Sequence, residues 1–146
     1  MKCNSLMVVD DDDGICSSLG ELLEAEGYTP VITHDGQQAL EQIFKLKRPA
    51  LIFLDLRMPI MSGEQFLEKL RSNTTAAHDT ELDYVVVMTA ARITGVIPGA
   101  NDVLSKPFEV DSVINIVEHQ MAPYVVAAAK AKSILGSRHH PESMSM

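Results

Sequence analysis

Positive charge is scarce in this chain: 12 Lys and Arg stand against 20 Asp and Glu, giving a formal net charge of −8 and a sequence pI near 5.0. A nucleic-acid backbone is gripped by a cluster or stripe of Lys and Arg, so this balance excludes a DNA-binding domain and predicts no nucleic-acid partner. Cysteine is nearly absent. Cys3 and Cys16 stand far from any metal-type spacing and read as reduced, packed thiols of a cytosolic protein. Long apolar runs are missing too: the longest, such as Tyr84 to Met88, are far too short to span a bilayer. No apolar segment with a small-residue cleavage site opens the chain. The expectation is a soluble, cytoplasmic protein with no membrane partner. There is no internal repeat, and no low-complexity stretch apart from an Ala-rich segment near the end.

What is present fits one compact domain: 146 residues, 46% hydrophobic and 22% charged. Leu6 to Val9 is a short apolar run stopped by acids, followed by Ile15, Leu19, Leu22 and Leu23 at helical spacing until Gly27. Tyr28 to Thr33 reads as a second, more exposed strand. Asp35-Gly36 breaks it, and Ala39, Leu40, Ile43, Phe44 and Leu46 mark another helix that stops before Pro49. Ala50 to Leu54 is continuously apolar, with Phe66, Leu67 and Leu70 on a helix beginning near Ser62. Tyr84 to Met88 is a fourth strand, Val103 and Leu104 a short fifth, and Val110, Val113, Ile114, Val117 and Met121 a closing helix. Strands buried on both faces that alternate with helices predict a parallel sheet of right-handed βαβ units. Reactive groups in such open sheets gather at the C-terminal strand ends. Asp10, Asp11, Asp55, Thr89 and Lys106 all fall there.

Asp55 carries the most information, because it follows Leu51-Ile52-Phe53-Leu54 and precedes the turn Leu56-Arg57-Met58-Pro59. Clustered carboxylates repel, and at neutral pH they are best satisfied by a hard divalent cation with oxygen ligands, for which Mg²⁺ is the natural candidate. A Lys ammonium and a Thr hydroxyl supply donors for phosphate oxygens. A carboxylate nucleophile, a cation site, a Lys and a hydroxyl are the parts of positioned phosphoryl transfer. Asp12 and Asp13, at a strand-to-helix junction, read instead as an N-cap and a favourable charge at the helix start. His139 and His140 read as solvated tail residues.

From about residue 5 to residue 121 the chain resembles the receiver domain of two-component response regulators, in a stand-alone form similar to the chemotaxis regulator. The residues that carry the resemblance are Asp10-Asp11, Leu54-Asp55-Leu56-Arg57-Met58-Pro59, Val87-Met88-Thr89-Ala90 and Lys106-Pro107-Phe108. It implies a flavodoxin-like five-stranded parallel sheet of order 2-1-3-4-5 flanked by helices. It also implies Asp55 as phosphoacceptor, Thr89 as switch hydroxyl and Lys106 as phosphate-binding lysine, followed by a cis bond to Pro107. Asp10, Asp11, Asp55 and the backbone carbonyl of Arg57 would hold Mg²⁺. The partners implied are a sensor histidine kinase or phosphotransfer protein and an unidentified downstream protein. Such a module is not an enzyme beyond its own phosphorylation and dephosphorylation. Two alternatives stand beside it. A haloacid-dehalogenase-like phosphatase would use Asp11 of Asp11-Asp12-Asp13-Gly14, and a pseudo-receiver would bind partners without phosphorylation.

Departures from the family gather on one side. Thr89 and Lys106 stand closer than in the family by about a turn of helix, and Gly95, Pro98 and Gly99 are poor helix formers, so the fourth helix is expected to be truncated, with an irregular loop near 92–98. Asn73 to Asp83 is a longer polar connection than usual. Val103 stands where many receivers carry a Tyr or Phe that turns inward, and Arg57 and Ala91 occupy the positions that tune loss of the phosphate. The expected domain covers residues 1–121, and 122–146 form an extension with no output domain: a short helix after Pro123, then a disordered tail. The apolar side of that helix docks in cis or makes a homodimer.

Overall fold

The computed structural model describes residues 2–72, 83–91, 95 and 97–122. The elements run β1 (Ser5–Val9), α1 (Asp13–Ala25), β2 (Val31–Thr33), α2 (Gly36–Ile43), β3 (Ala50–Asp55), α3 (Gly63–Ser72), β4 (Tyr84–Thr89), β5 (Asp102–Ser105) and α4 (Val110–Gln120). One sheet holds the five strands in the order β2-β1-β3-β4-β5, with every neighbouring pair parallel. This is the flavodoxin-like doubly wound arrangement expected from the alternation.

Side-chain alternation along each strand divides the core into two layers. Leu6 and Val8, Leu51 and Phe53, and Val86 and Met88 pack with Leu19 and Leu23 of α1 and Val113 and Val117 of α4. Their strand neighbours Met7, Val9, Ile52, Leu54, Val85 and Val87 point to the other face, onto Ala39 and Ile43 of α2 and Phe66, Leu67 and Leu70 of α3. Every residue of β3 is therefore buried, which is why it reads as an unbroken apolar run rather than an alternating one.

Two boundaries differ from the sequence reading. The second strand begins at Val31, not Tyr28: the Tyr28 N–H donates to Leu23 O at 3.0 Å and Gly27 takes a φ of 93°, so this stretch closes α1 instead of joining the sheet. Helix α2 ends at Ile43, and Lys45 and Leu46 donate to Gln42 and Ile43 carbonyls at 2.9 and 3.2 Å, a tightened last turn. Between β4 and β5 no described residue is helical, in keeping with the expected truncation. The expectations for 92–94, 96, the connection over 73–82 and the extension beyond 122 lie outside the described residues, as do His139 and His140. Among the described residues no helix is long and apolar enough to cross a membrane.

Candidate functional site

Strand register brings the polar residues together. Val9 pairs with Leu54, so Asp10, one residue further on, lies beside Asp55. Asp55 in turn pairs with Met88, and Thr89 with Ser105, which sets Thr89 and Lys106 on the same sheet edge. The Lys106 N–H donates to Thr89 O at 2.9 Å. Carboxylate oxygens of Asp10, Asp11 and Asp55 lie within 4.8 Å of one another. The Lys106 ammonium donates to Asp10 Oδ2 at 2.7 Å and stands 3.5 Å from Asp55 Oδ1. A cleft of about 450 Å³ opens beside it, lined by Asp55, Arg57, Thr89, Ala90, Ala91 and Lys106. Thr89 Oγ1 accepts the Ala91 N–H at 3.0 Å, leaving its own proton to donate.

Asp10 is fully buried, whereas Asp11 is exposed. A second bond, from the Asp12 N–H to Asp10 Oδ1 at 3.0 Å, helps hold the buried carboxylate. Asp12 caps α1, accepting from Gly14 N at 2.8 Å and Ile15 N at 3.2 Å, and Asp13 lies in the first turn, as expected of both. Burial pushes the Asp55 carboxyl above its ordinary value and the neighbouring Asp10 charge adds to this; Lys106 and the Arg57 backbone N–H pull it down without cancelling the rise. For Lys106, burial alone works to discharge the ammonium, but the hydrogen bond to Asp10 and the charges of Asp10 and Asp55 outweigh it, so its pKa is raised. One lysine faces three carboxylates, and such an excess of hard oxygen donors suits a small divalent cation.

Two features of the site escaped the sequence reading. Gly63 opens α3 with its N–H donating to Leu56 O at 2.9 Å, and a Cβ there would lie 2.3 Å from the Asp55 carbonyl oxygen and 2.7 Å from Leu56 Cα. The helix can approach the Asp55 backbone this closely only without a side chain. Gly63→Ala is expected to cost about 1–3 kcal/mol, read as a lower urea midpoint, and to slow any chemistry at Asp55. A Gly one residue into a predicted helix was the available signal. The other feature is the turn itself, in which Ile60 is 82% exposed at a φ of 70°, a strained conformation for a β-branched residue.

An α/β module whose parallel sheet ends in a carboxylate cluster bonded by a lysine belongs to the doubly wound proteins that do chemistry at their strand tips. The family model for the response regulator receiver domain matches residues 6–118, and the chain belongs to that family. It is 38% identical over 110 residues to the transcriptional regulatory protein CpxR of Escherichia coli, an alignment covering 72% of this chain and 44% of that protein. The chain thus spans about half the length of the curated relatives it matches. Among solved structures it resembles the Francisella response regulator 1452 receiver domain (TM-score 0.69, 27% identity, 80% of this chain and 95% of that one). It likewise resembles a two-component response regulator from Clostridium difficile (TM-score 0.67, 25% identity, 80% and 93%).

Proposed function

We propose that this receiver accepts a phosphoryl group on Asp55 from a sensor histidine kinase or phosphotransfer protein in the cytoplasm. In this reading it then changes the surface it offers to a downstream protein. The observation that carries the reading is Lys106, bonded to Asp10 and 3.5 Å from Asp55 at the mouth of the cleft. Ionised Asp55 attacks phosphorus, the bond from phosphorus to the donor atom breaks, and an acyl phosphate results. The Lys106 ammonium bonds one phosphoryl oxygen and the Thr89 hydroxyl donates to another. Asp10, Asp11, Asp55 and the Arg57 backbone are the groups that would hold Mg²⁺. The ion would neutralise charge on the phosphoryl oxygens. Hydrolysis of its own phosphate is the only other reaction assigned to the protein. Incubation with acetyl phosphate and Mg²⁺, followed by intact-mass measurement, should add one phosphoryl group per chain. Asp11→Asn should abolish most of that incorporation at low Mg²⁺ and recover part of it as Mg²⁺ is raised. Incorporation indifferent to Asp11 and to a chelator would contradict the metal assignment.

Output is proposed to leave by a different route from the usual one. Val103 is 42% exposed and has no ring to turn inward, so the signal is assigned to α1 or to the segment beyond Met121. Amide exchange with and without a beryllofluoride phosphate mimic should then show changed protection in one of those two regions. Changes confined to residues 90–108 would sink this route. The haloacid-dehalogenase-like reading gives Asp55 no part, and the family assignment favours Asp55 over Asp11 as the nucleophile.

A further inference from the structure

An apolar groove lies between α1 and α4, on the sheet face opposite α2 and α3. Leu23, Val113 and Val117 form its floor, and Leu22 and Ile114 stand half-buried along its sides. Helical spacing builds it: Leu22 and Glu26 are one turn apart on α1, and Ile114, Val117 and Glu118 follow one another at three and four residues on α4. Glu26 and Glu118 are exposed at the rim. Burial pushes the Tyr28 hydroxyl above its ordinary value and the charges of Glu118 and Glu26 add to it, as two carboxylates gathered near one ring would do. Among the described residues no ion pair joins either glutamate to a cation.

The chain leaves the domain beside this groove. Met121 is buried in the same cluster as Leu23, Tyr28, Val113 and Val117, and the Ala122 N–H donates to Cys3 O at 2.7 Å. Returning from Met121 to the level of Val113 takes roughly 12 Å at the helical rise, and residues 123–135 would cover roughly 20 Å even coiled as a helix. That segment supplies Val125, Val126, Ile134 and Leu135, and its only charges are Lys130 and Lys132. Apolar side chains and two cations match an apolar floor with two acids at its rim. A second copy seated groove to groove would instead set Glu26 and Glu118 against themselves, because a twofold interface opposes each patch to its own copy.

We infer that residues 123–135 dock in cis in the groove between α1 and α4, with their apolar side chains over Leu22, Ile114 and Val117 and with Lys130 and Lys132 beside Glu26 and Glu118. Apolar burial supplies most of the attraction, since exposed ion pairs contribute little. The lysines set the orientation of the segment. Attachment at Ala122 keeps its local concentration high, so contacts too weak to hold a free peptide suffice. The docking joins α1 to the segment beyond Met121, the two regions to which output is assigned, and it does not depend on phosphorylation of Asp55.

The test uses the full-length chain, with unlabelled and uniformly ¹⁵N-labelled protein mixed in equal amounts and treated with a water-soluble carbodiimide. The reagent joins a carboxylate to a touching ammonium as an amide, with loss of water, and peptide mass spectrometry maps the bond. The expected product links Lys130 or Lys132 to Glu26 or Glu118, in wholly light and wholly heavy forms alone. Val126→Asp combined with Ile134→Asp, which keeps both lysines and alters neither α1 nor α4, should lower the yield about fivefold or more. A product that mixes light and heavy peptides gives the groove to a second copy and overturns docking in cis. Absence of the product, linkage of the lysines to other carboxylates only, or a yield that the double substitution leaves unchanged overturns it equally.

Discussion

Replacing the proposed phosphoacceptor, Asp55→Asn, should eliminate incorporation from acetyl phosphate, with no adduct detectable by intact mass, and should also raise the melting temperature of the metal-free protein. The first effect is chemical: an amide is not a nucleophile toward phosphorus, and the neighbouring carboxylates cannot stand in. Asp10 is buried and bonded to Lys106 at 2.7 Å, and Asp11 is exposed outside the cleft lining. The second effect is electrostatic. Burial and the Asp10 charge raise the Asp55 pKa in the folded protein, so the ionised carboxylate destabilises the fold at every pH above that value. Because the folded pKa lies above the unfolded one, this destabilisation grows as pH rises through the window between them. The advantage of Asn is therefore full above the raised folded pKa of Asp55 and fades below pH about 4, the ordinary carboxylate value. Mg²⁺ should reverse the ranking by stabilising the parent protein more than the variant.

Asp83→Ala should be the most damaging change outside the site, at about 3–5 kcal/mol, a drop on the order of 10 °C in melting temperature for a chain this size. Asp83 is 1% exposed just before β4. Its Oδ2 pairs with the Arg48 guanidinium, and its Oδ1 accepts the Ala50 N–H at 2.9 Å, which begins β3. Arg48 also lies 5.4 Å over the Phe44 ring. Removing the carboxylate strands a mostly buried cation and an unpaired N–H together, which is why the cost exceeds that of an ordinary ion pair. Thermal melts of Asp83→Ala and of the double change Arg48→Met with Asp83→Leu separate the two causes. The double change should recover much of the loss, because it leaves no charge buried.

These two residues mark the limit of what the sequence discloses. Asp55 was legible because a strand buried on both faces must be an apolar run, and a carboxylate ending such a run stands out. The same logic located Asp10, Thr89 and Lys106, since parallel strands of similar length end on one edge. Asp83 offered no such contrast: it follows a polar connection, and its partner Arg48 is 35 residues away, a pairing that only the packed sheet creates. Gly63 was hidden for another reason. A glycine at a helix start resembles any other until the Asp55 carbonyl is seen 2.3 Å from where its Cβ would be. Tyr28 has the β propensity of a strand residue, but its bond to Leu23 O at 3.0 Å holds it to the end of α1 instead.

A phosphoryl group carried by Asp55 leaves a chemical mark at that position alone. Borohydride reduces an aspartyl phosphate to homoserine, so protein treated with acetyl phosphate and Mg²⁺, then reduced and digested, can be mapped by peptide mass spectrometry. Homoserine is expected at position 55 and at no other aspartate. Homoserine at position 10 or 11, or a phosphoryl group retained on a histidine with position 55 unmodified, would contradict it.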